Sequence, residues 1–191
     1  GTKLFVPDAH IADYVICVSR NKHKSKPHDC LNLFLVKTPV SGFKTSLMKT
    51  IASDKLCEVS FDSVMVSYED ILGKEGKGWP LIEKALLRAT IAKCMEMVGG
   101  AQQVLELTTA YAKERVQYGK PIGSFQAIQH YLANMAIDVD GCRFASYKAA
   151  WKMSEGEDCQ LDAAIAKAWT SEAYRRVTSF GHRIYGAIGF T

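Results

Sequence analysis

Residues 114–130 read "ERVQYGKPIGSFQAIQH", with a helical pattern on either side. A plain connection between two helices needs a turn and little more. This one carries Arg115, Gln117, Tyr118, Phe125 and Gln126 around a Gly-Lys-Pro-Ile-Gly turn. Arg115 is a permanent cation whose planar fork matches a phosphate. Gln117 and Gln126 are neutral donors and acceptors, and Tyr118 and Phe125 offer aromatic faces. Gly119, Pro121 and Gly123 hold the turn tight. The start of the next helix, near Ser124–Gln126, presents free N–H groups to an anion. Together these residues suit the diphosphate of a dinucleotide. A capped helix end with a surface arginine accounts for the same residues, and the stretch by itself does not choose.

The flanking patterns define three helices. The first follows "GKEGKGW" (73–79) and runs to about Tyr118, with Ile82, Ala85, Ala89, Ala92, Val98, Ala101 and Leu105 at three- and four-residue steps. Gly99 and Gly100 interrupt it at a cost of about 1 kcal/mol each relative to alanine, which a second helix packed close by would explain. The second runs from about Phe125 to Met153, with Ile128, Leu132, Met135, Val139, Cys142 and Ala149 on one face. "SEGEDCQ" (154–160) breaks it. The third runs from about Leu161 to Tyr185, with Ile165, Trp169, Ala173, Val177, Phe180 and Ile184 on one face. Long helices with short connections pack as an antiparallel, up-down bundle. Stripes this long want a fourth layer, and "RIYGAIGFT" (183–191) is a buried-looking turn. The stretch therefore reads as a segment of a larger protein.

Residues 1–72 favour strands. "ADYVICVSR" (12–20) is apolar and β-branched, and "LNLFLVKT" (31–38) alternates. "LCEVSFDSVMVS" (56–67) alternates through Val59 and Phe61, then through Val64 and Val66 after a one-residue slip. Such a slip marks a bulge or a corner. "RNKHKSKPHD" (20–29) reads as an exposed hairpin loop and "TPVSG" (38–42) as a turn. The fold class is α+β: an incomplete antiparallel β-barrel or sandwich domain at 1–72, then an up-down helical bundle domain at 73–191. "GKEGKG" lacks the G-K-[ST] ending of a phosphate loop and reads as a flexible joint between the two.

Composition narrows the function. The net charge of +4 comes from 24 basic and 20 acidic side chains, with no long basic run. That argues little for nucleic acid and suits an anionic small molecule equally well. No run of eighteen apolar residues predicts a membrane span, and no signal peptide opens the chain. The six cysteines form no C-x-x-C pair and read as reduced, mostly buried thiols of a cytosolic or matrix-like compartment. The five histidines show no metal spacing with them. Ser124 lacks a G-x-S-x-G context, and no G-x-G-x-x-G follows a strand.

"YAKERVQYGKPIGSFQAIQHYLANMA" (111–136) resembles the signature of the acyl-CoA dehydrogenase family of flavoproteins. "GTKLFVPDAHIADYVICVSR" (1–20), "VSFDSVMVSYEDILGKEGKGW" (59–79) and "RIYGAIGFT" fit the same family in the same order, so the resemblance covers essentially the whole chain. It implies part of the middle β-domain and the first three helices of the C-terminal domain. An N-terminal helical domain and the last helix would lie outside this stretch.

The resemblance also implies chemistry. FAD lies between the β-domain and the helices in this family, and its adenosine diphosphate arm reaches a neighbouring subunit. By resemblance Arg115 pairs with the diphosphate and Gln117 hydrogen-bonds beside it. Tyr118 supplies an aromatic wall, and Phe125 and Gln126 open the next helix against the same arm. The family's second flavin contact, Gln-x-x-Gly-Gly-x-Gly-Phe, reads "RIYGAIGF" here. Gly186 and Ala187 keep the close backbone approach. Arg183 stands where Gln is common and either meets the diphosphate or faces solvent. The family's Trp-Ile-Thr or Trp-Ile-Ser segment beside the flavin ring is Phe5-Val6-Pro7, so Phe5 can pack on the ring but Pro7 lacks the hydroxyl and the N–H.

The implied reaction is α,β-desaturation of an acyl-CoA thioester, an oxidoreductase step of fatty acid metabolism. A carboxylate takes the α-proton, and the β-hydrogen leaves as hydride to flavin N5. In most members that carboxylate is a Glu beyond the Gly-Phe-Thr turn, outside this chain. Others carry it where Ala89 stands, so no catalytic residue is assigned and the isolated segment is expected to be inactive. The thioester-holding Asp and Arg of the family correspond to Leu87 and Thr90, with Arg88 next door as a candidate substrate contact. Implied partners are acyl-CoA, an acceptor such as an electron-transfer flavoprotein, and further subunits in a dimer or tetramer, homomeric (a homotetramer) or heteromeric. The implied compartment is the cytoplasm, or the mitochondrial matrix in a eukaryote. A non-catalytic flavin-binding subunit of a heteromeric enzyme, or an acyl-CoA oxidase, are the alternatives.

Overall fold

The structure is a computed structural model and describes residues 1–20 and 30–190. The loop expected at 20–29 falls almost wholly outside them, as do His23 and His28. The chain divides into two compact units, Gly1–Lys84 and Ala85–Thr191.

Among its described residues the first unit holds five strands: β1 (Thr2–Pro7), β2 (Tyr14–Arg20), β3 (Leu31–Lys37), β4 (Phe43–Leu47) and β5 (Leu56–Phe61). These strands pair antiparallel with one another, and Leu31 also makes an isolated parallel bridge to Lys77. One sheet has the order β1-β5-β4, and β2 pairs with β3 from Tyr14↔Lys37 to Arg20↔Leu31. Both sheets stay open among the described residues, so no closed barrel forms. β1 and β4 were not expected from pattern. β4, "FKTSL", is mostly polar and exposed, and β1 is broken by an irregularity between Lys3 and Val6. The slip after Phe61 is a corner: β5 ends there, and Ser63 takes a left-handed φ of 53°. Val64 and Val66 then run half-buried beyond the strand. Ala9, Cys57 and Val59 form the core, with Phe43 and Phe61 edge-on at 5.4 Å.

The glycine-rich segment after the sheets is a pinned turn rather than a flexible joint. The Leu72 N–H donates to the Leu33 carbonyl (2.8 Å), the Gly76 N–H to Asn32 Oδ1 (2.6 Å) and the Gly78 N–H to the Leu31 carbonyl (2.8 Å). A Cβ at Gly78 would stand 2.8 Å from that carbonyl oxygen. Glycine is required there so that the backbone can lie against β3.

The second unit is the up-down bundle: α1 (Trp79–Glu114, beginning in the first unit), α2 (Gln126–Ser154) and α3 (Gln160–Tyr185). α2 buries Met135, Val139, Cys142 and Ala149 as expected, with Asp138 and Ser146 beside them. Two faces differ from expectation. α1 buries Ile91, Cys94, Val98, Ala101, Thr108 and Ala112, while Ala85, Ala89 and Ala92 are exposed. At 100° per residue those alanines lie roughly opposite Ala101, so one apolar pattern had joined two different faces. α3 buries Ala163, Ala166, Thr170, Ala173, Val177, Gly181 and Ile184, leaving Ile165 and Trp169 53% and 45% exposed. Trp169 instead lies over Gly141, where a Cβ would meet its Nε1 at 2.7 Å. Gly100 has the expected packing reason, since a Cβ there would stand 2.9 Å from the Tyr174 ring; Gly99 has nothing within 4 Å.

Three ion pairs, at two places, tie α2 to α3. Arg176 donates to both carboxylate oxygens of the buried Asp138, at 3.0 and 2.7 Å. Its guanidinium pKa is raised above the usual value chiefly by that hydrogen bond. Asp162, itself buried, accepts from Lys152 (2.7 Å) and Lys148 (2.9 Å). Five of the six cysteines are buried and Cys17 is half-buried, and none forms a disulfide among the described residues. Desolvation pushes the Cys17, Cys94 and Cys142 thiols up. No helix among the described residues is long and apolar enough to cross a membrane.

Two outcomes follow for the whole protein. Gly78→Ala forces the backbone off β3 and should cost about 1–3 kcal/mol, read as a lower thermal midpoint. Hydrogen bonds from Lys152 and Lys148 hold the Asp162 carboxyl below the usual carboxylate range. A carboxylate that ionises more readily when folded stabilises fully above its unfolded pKa and loses that contribution as pH falls through the folded one. Asp162→Asn should therefore be less stable than wild type at neutral pH, with the difference shrinking below about pH 4 in an acid unfolding series.

Candidate anion-binding site at the α1–α2 reversal

α1 ends at Glu114, four residues before Tyr118, because the chain then turns back on itself. β6 (Val116–Gln117) pairs with β7 (Lys120–Pro121), and the two residues between them, Tyr118 and Gly119, have φ of 56° and 78°. Two successive positive φ values are what a two-residue hairpin of this twist requires. The Ile122 N–H donates to the Arg115 carbonyl (2.8 Å) and closes the loop. Gly123 lies so near α1 that a Cβ would stand 2.9 Å from the Ala112 carbonyl oxygen.

The turn spends its polar groups inward and leaves selected ones outward. The Ser124 hydroxyl donates to the Pro121 carbonyl (2.7 Å), and Gln129 Nε2 donates to the Gly123 carbonyl (3.0 Å). The residue that opens α2 is Phe125, and no side chain caps the helix. The first N–H groups of α2 therefore keep their partial positive charge. Arg115 is exposed and in no ion pair with the described residues. Gln126, the first residue of α2, is exposed as well. Gln117 Nε2 donates to the Val116 carbonyl at 2.7 Å. Tyr118 is 93% exposed and meets Phe125 edge-on at 6.2 Å. Lys120 Nζ sits 4.4 Å from the Phe125 ring centre. One end of the bundle thus presents Arg115, an uncapped helix start and two aromatic faces.

The C-terminal end of α3 reaches the same end of the bundle. Tyr185 stacks on Tyr111, one turn before Arg115, with ring centres 4.2 Å apart and planes 11° from parallel. Its hydroxyl donates to the Leu107 carbonyl at 3.2 Å. Gly186 ends α3 with a φ of 65°, and its N–H donates to the His182 carbonyl. Ala187 is exposed, and Arg183 is exposed with its guanidinium carbon 5.8 Å from the Phe180 ring centre. The end of α3, which leads into the Gly186–Phe190 turn, is thereby packed against the end of α1, which leads into the reversal.

One sequence candidate lies apart on the bundle, and another belongs to the other unit. Arg88 is exposed near the other end of α1, about 40 Å from Arg115 at 1.5 Å per residue. Phe5 belongs to the first unit, 61% exposed at a φ of 58°, and takes no part in its core. Sequence reasoning missed Tyr111, Tyr185 and His182. The only local signal was a tyrosine four residues before Arg115 and another just before Gly186.

Residues 76–191 match the family model described as "Acyl-CoA dehydrogenase, C-terminal domain". The short-chain specific acyl-CoA dehydrogenase of Megasphaera elsdenii is 34% identical over all of this chain and half of its own. The solved structure of butyryl-CoA dehydrogenase from the same organism superposes with a TM-score of 0.93 at 33% identity, over all of this chain and 50% of that one. A structure of PigA with FAD and proline superposes at 0.95 and 26% identity, again over all of this chain and 50% of that one. The chain belongs to the acyl-CoA dehydrogenase family. It spans about half the length of the curated relatives it matches.

Proposed function

We propose that the whole protein is an FAD-dependent acyl-CoA dehydrogenase that introduces an α,β double bond into an acyl-CoA thioester. The observation that carries the cofactor assignment is the α1–α2 reversal, where an exposed, unpaired Arg115 stands beside an uncapped helix start. That donor set fits a diphosphate: a guanidinium fork gives two parallel charge-assisted hydrogen bonds, and helix N–H groups add more. Tyr118 and Phe125 are placed to wall the adenosine arm, with Gln117 and Gln126 as neutral partners. Gly186 and Ala187 allow close backbone approach from the neighbouring turn, and Arg183 adds charge there. The names of the butyryl-CoA relative and of PigA with FAD support the same reading.

The flavin, when bound, supplies the hydride acceptor for this chemistry. The α-proton goes to a carboxylate that lies outside residues 1–191, since Ala89 has no acid to offer. Arg88 is positioned by α1 as an exposed cation for a phosphate of the CoA end, away from the diphosphate site. Phe5 is available as an apolar contact for the flavin ring because it is exposed. Further subunits would share the cofactor's arm in a dimer or tetramer, and the electrons pass on to an acceptor of the electron-transfer flavoprotein type. A second reading, a flavin-binding subunit without chemistry of its own, is favoured by Pro7, which withdraws a backbone donor from the ring contact.

In the whole protein Arg115→Ala removes a charge-assisted contact of about 1.5–3 kcal/mol and should weaken FAD binding roughly tenfold or more. Flavin content after gel filtration reads this, and unchanged content removes Arg115 from the site. Anaerobic addition of short acyl-CoA thioesters to the holoprotein should bleach the flavin absorbance. No bleaching across a chain-length series favours the non-catalytic subunit, and oxygen uptake with hydrogen peroxide release favours an oxidase.

A further inference from the structure

The diphosphate-binding reading uses two pieces of chain far apart in sequence, the Arg115–Gln126 reversal and the Gly186–Phe190 turn. We propose that Tyr111, Tyr185 and His182 are positioning residues that hold these two pieces in register, so that α3 sets the placement of Arg115. The proposal rests on that reading of the site.

Three observations converge on it. The first is the Tyr111–Tyr185 stack, nearly parallel at 4.2 Å, joining the last turn of α3 to the last turn of α1. A planar stack fixes both distance and rotation between two helices, which aliphatic contact does not. Tyr111 also accepts the Arg115 N–H on its carbonyl at 2.8 Å, so the stacked residue holds the backbone from which the guanidinium projects. The second is the Tyr185 hydroxyl, which donates to the Leu107 carbonyl. With ring and hydroxyl both engaged on α1, the end of α3 can neither slide along α1 nor roll against it.

The third is His182. Its Nδ1 is 2.7 Å from the Gly189 carbonyl oxygen, and its own carbonyl accepts the Gly186 N–H. One residue thus closes the Gly186–Phe190 turn from both ends. The turn has no room to relax inward, because a Cβ at Gly189 would stand 3.0 Å from the His182 carbonyl and 3.1 Å from Tyr185 Cβ. His182 fixes the turn to α3, and Tyr185 fixes α3 to α1. Arg115 follows four residues after Tyr111, just past the end of α1. None of the three side chains is required to touch the cofactor.

The test is FAD affinity in the whole apoprotein, with the apoprotein thermal midpoint measured alongside. Tyr185→Leu and His182→Ala should each weaken FAD binding about three- to tenfold, the range of one aromatic or hydrogen-bonded contact. Tyr185→Phe, which keeps the stack, and His182→Asn, which keeps a donor to the Gly189 carbonyl, should recover most of the loss. A double-mutant cycle supplies the decisive readout. If Tyr185 acts through Arg115, the Tyr185→Leu/Arg115→Ala pair loses less affinity than the product of the single losses. A merely structural effect multiplies. FAD affinity unchanged by Tyr185→Leu and by His182→Ala, with Arg115→Ala still weakened, overturns the positioning role alone. Multiplying losses overturn it too. Affinity unchanged by Arg115→Ala overturns the diphosphate reading and this proposal with it. Should Tyr185→Leu fail to fold, the exposed His182 pair of variants decides by the same criteria.

Discussion

The close seam between α2 and α3 is the constraint on which the rest of the bundle depends. Cys142, Ser146 and Ala149 of α2 face Ala163, Ala166, Thr170 and Ala173 of α3, all of them buried and all small. Small side chains let two helices approach closely, and close helices make many weak contacts at once. Such a seam has little register preference of its own. The register comes from its ends, where Arg176 grips Asp138 and where Lys148 and Lys152 hold Asp162. Removing one partner of a buried pair leaves the other charge stranded, so the pairs exclude slipped arrangements strongly.

The register decides the site. With α3 fixed along α2, its last turn arrives beside Leu107 and Tyr111, and Tyr185 finds both a ring to stack on and a carbonyl to bond. The turn that follows α3 then begins at the end of the bundle where α1 leads into the reversal. Arg115 on a free hairpin is an ordinary surface arginine, and an uncapped helix start attracts anions only weakly in open water. The proposed diphosphate reading therefore draws on both pieces.

Much of this was legible from the residues. The three helices, the open antiparallel strand region and the reversal all follow from period changes and turn chemistry. Gly123 reads as a residue that holds the turn tight, and the Ala112 carbonyl close beside it gives the reason. The family resemblance rested on matches spread along the chain, and residues 76–191 match the family model. What failed did so for a physical reason. Alanine is apolar enough to extend a stripe and small enough to sit in water at little cost, so Ala85, Ala89 and Ala92 looked like core. Ile165 and Trp169 kept a helical spacing but belong to the rim, where Trp169 covers the gap left by Gly141. The glycine-rich segment looked flexible because its anchors, Asn32 and the Leu31 and Leu33 carbonyls, lie some forty residues upstream.

The sequence by itself determined the local structure of this protein: that three long helices form, that a tight turn and a break separate them, and which side chains carry charge at the reversal. Those features depend on neighbours a few residues away, and a linear pattern contains them. Only the tertiary structure decided which face of α1 and of α3 is buried, and that Tyr185 meets Tyr111. Those facts depend on residues far apart in the chain packing at fixed distances. A contact spanning more than seventy positions leaves no periodic trace.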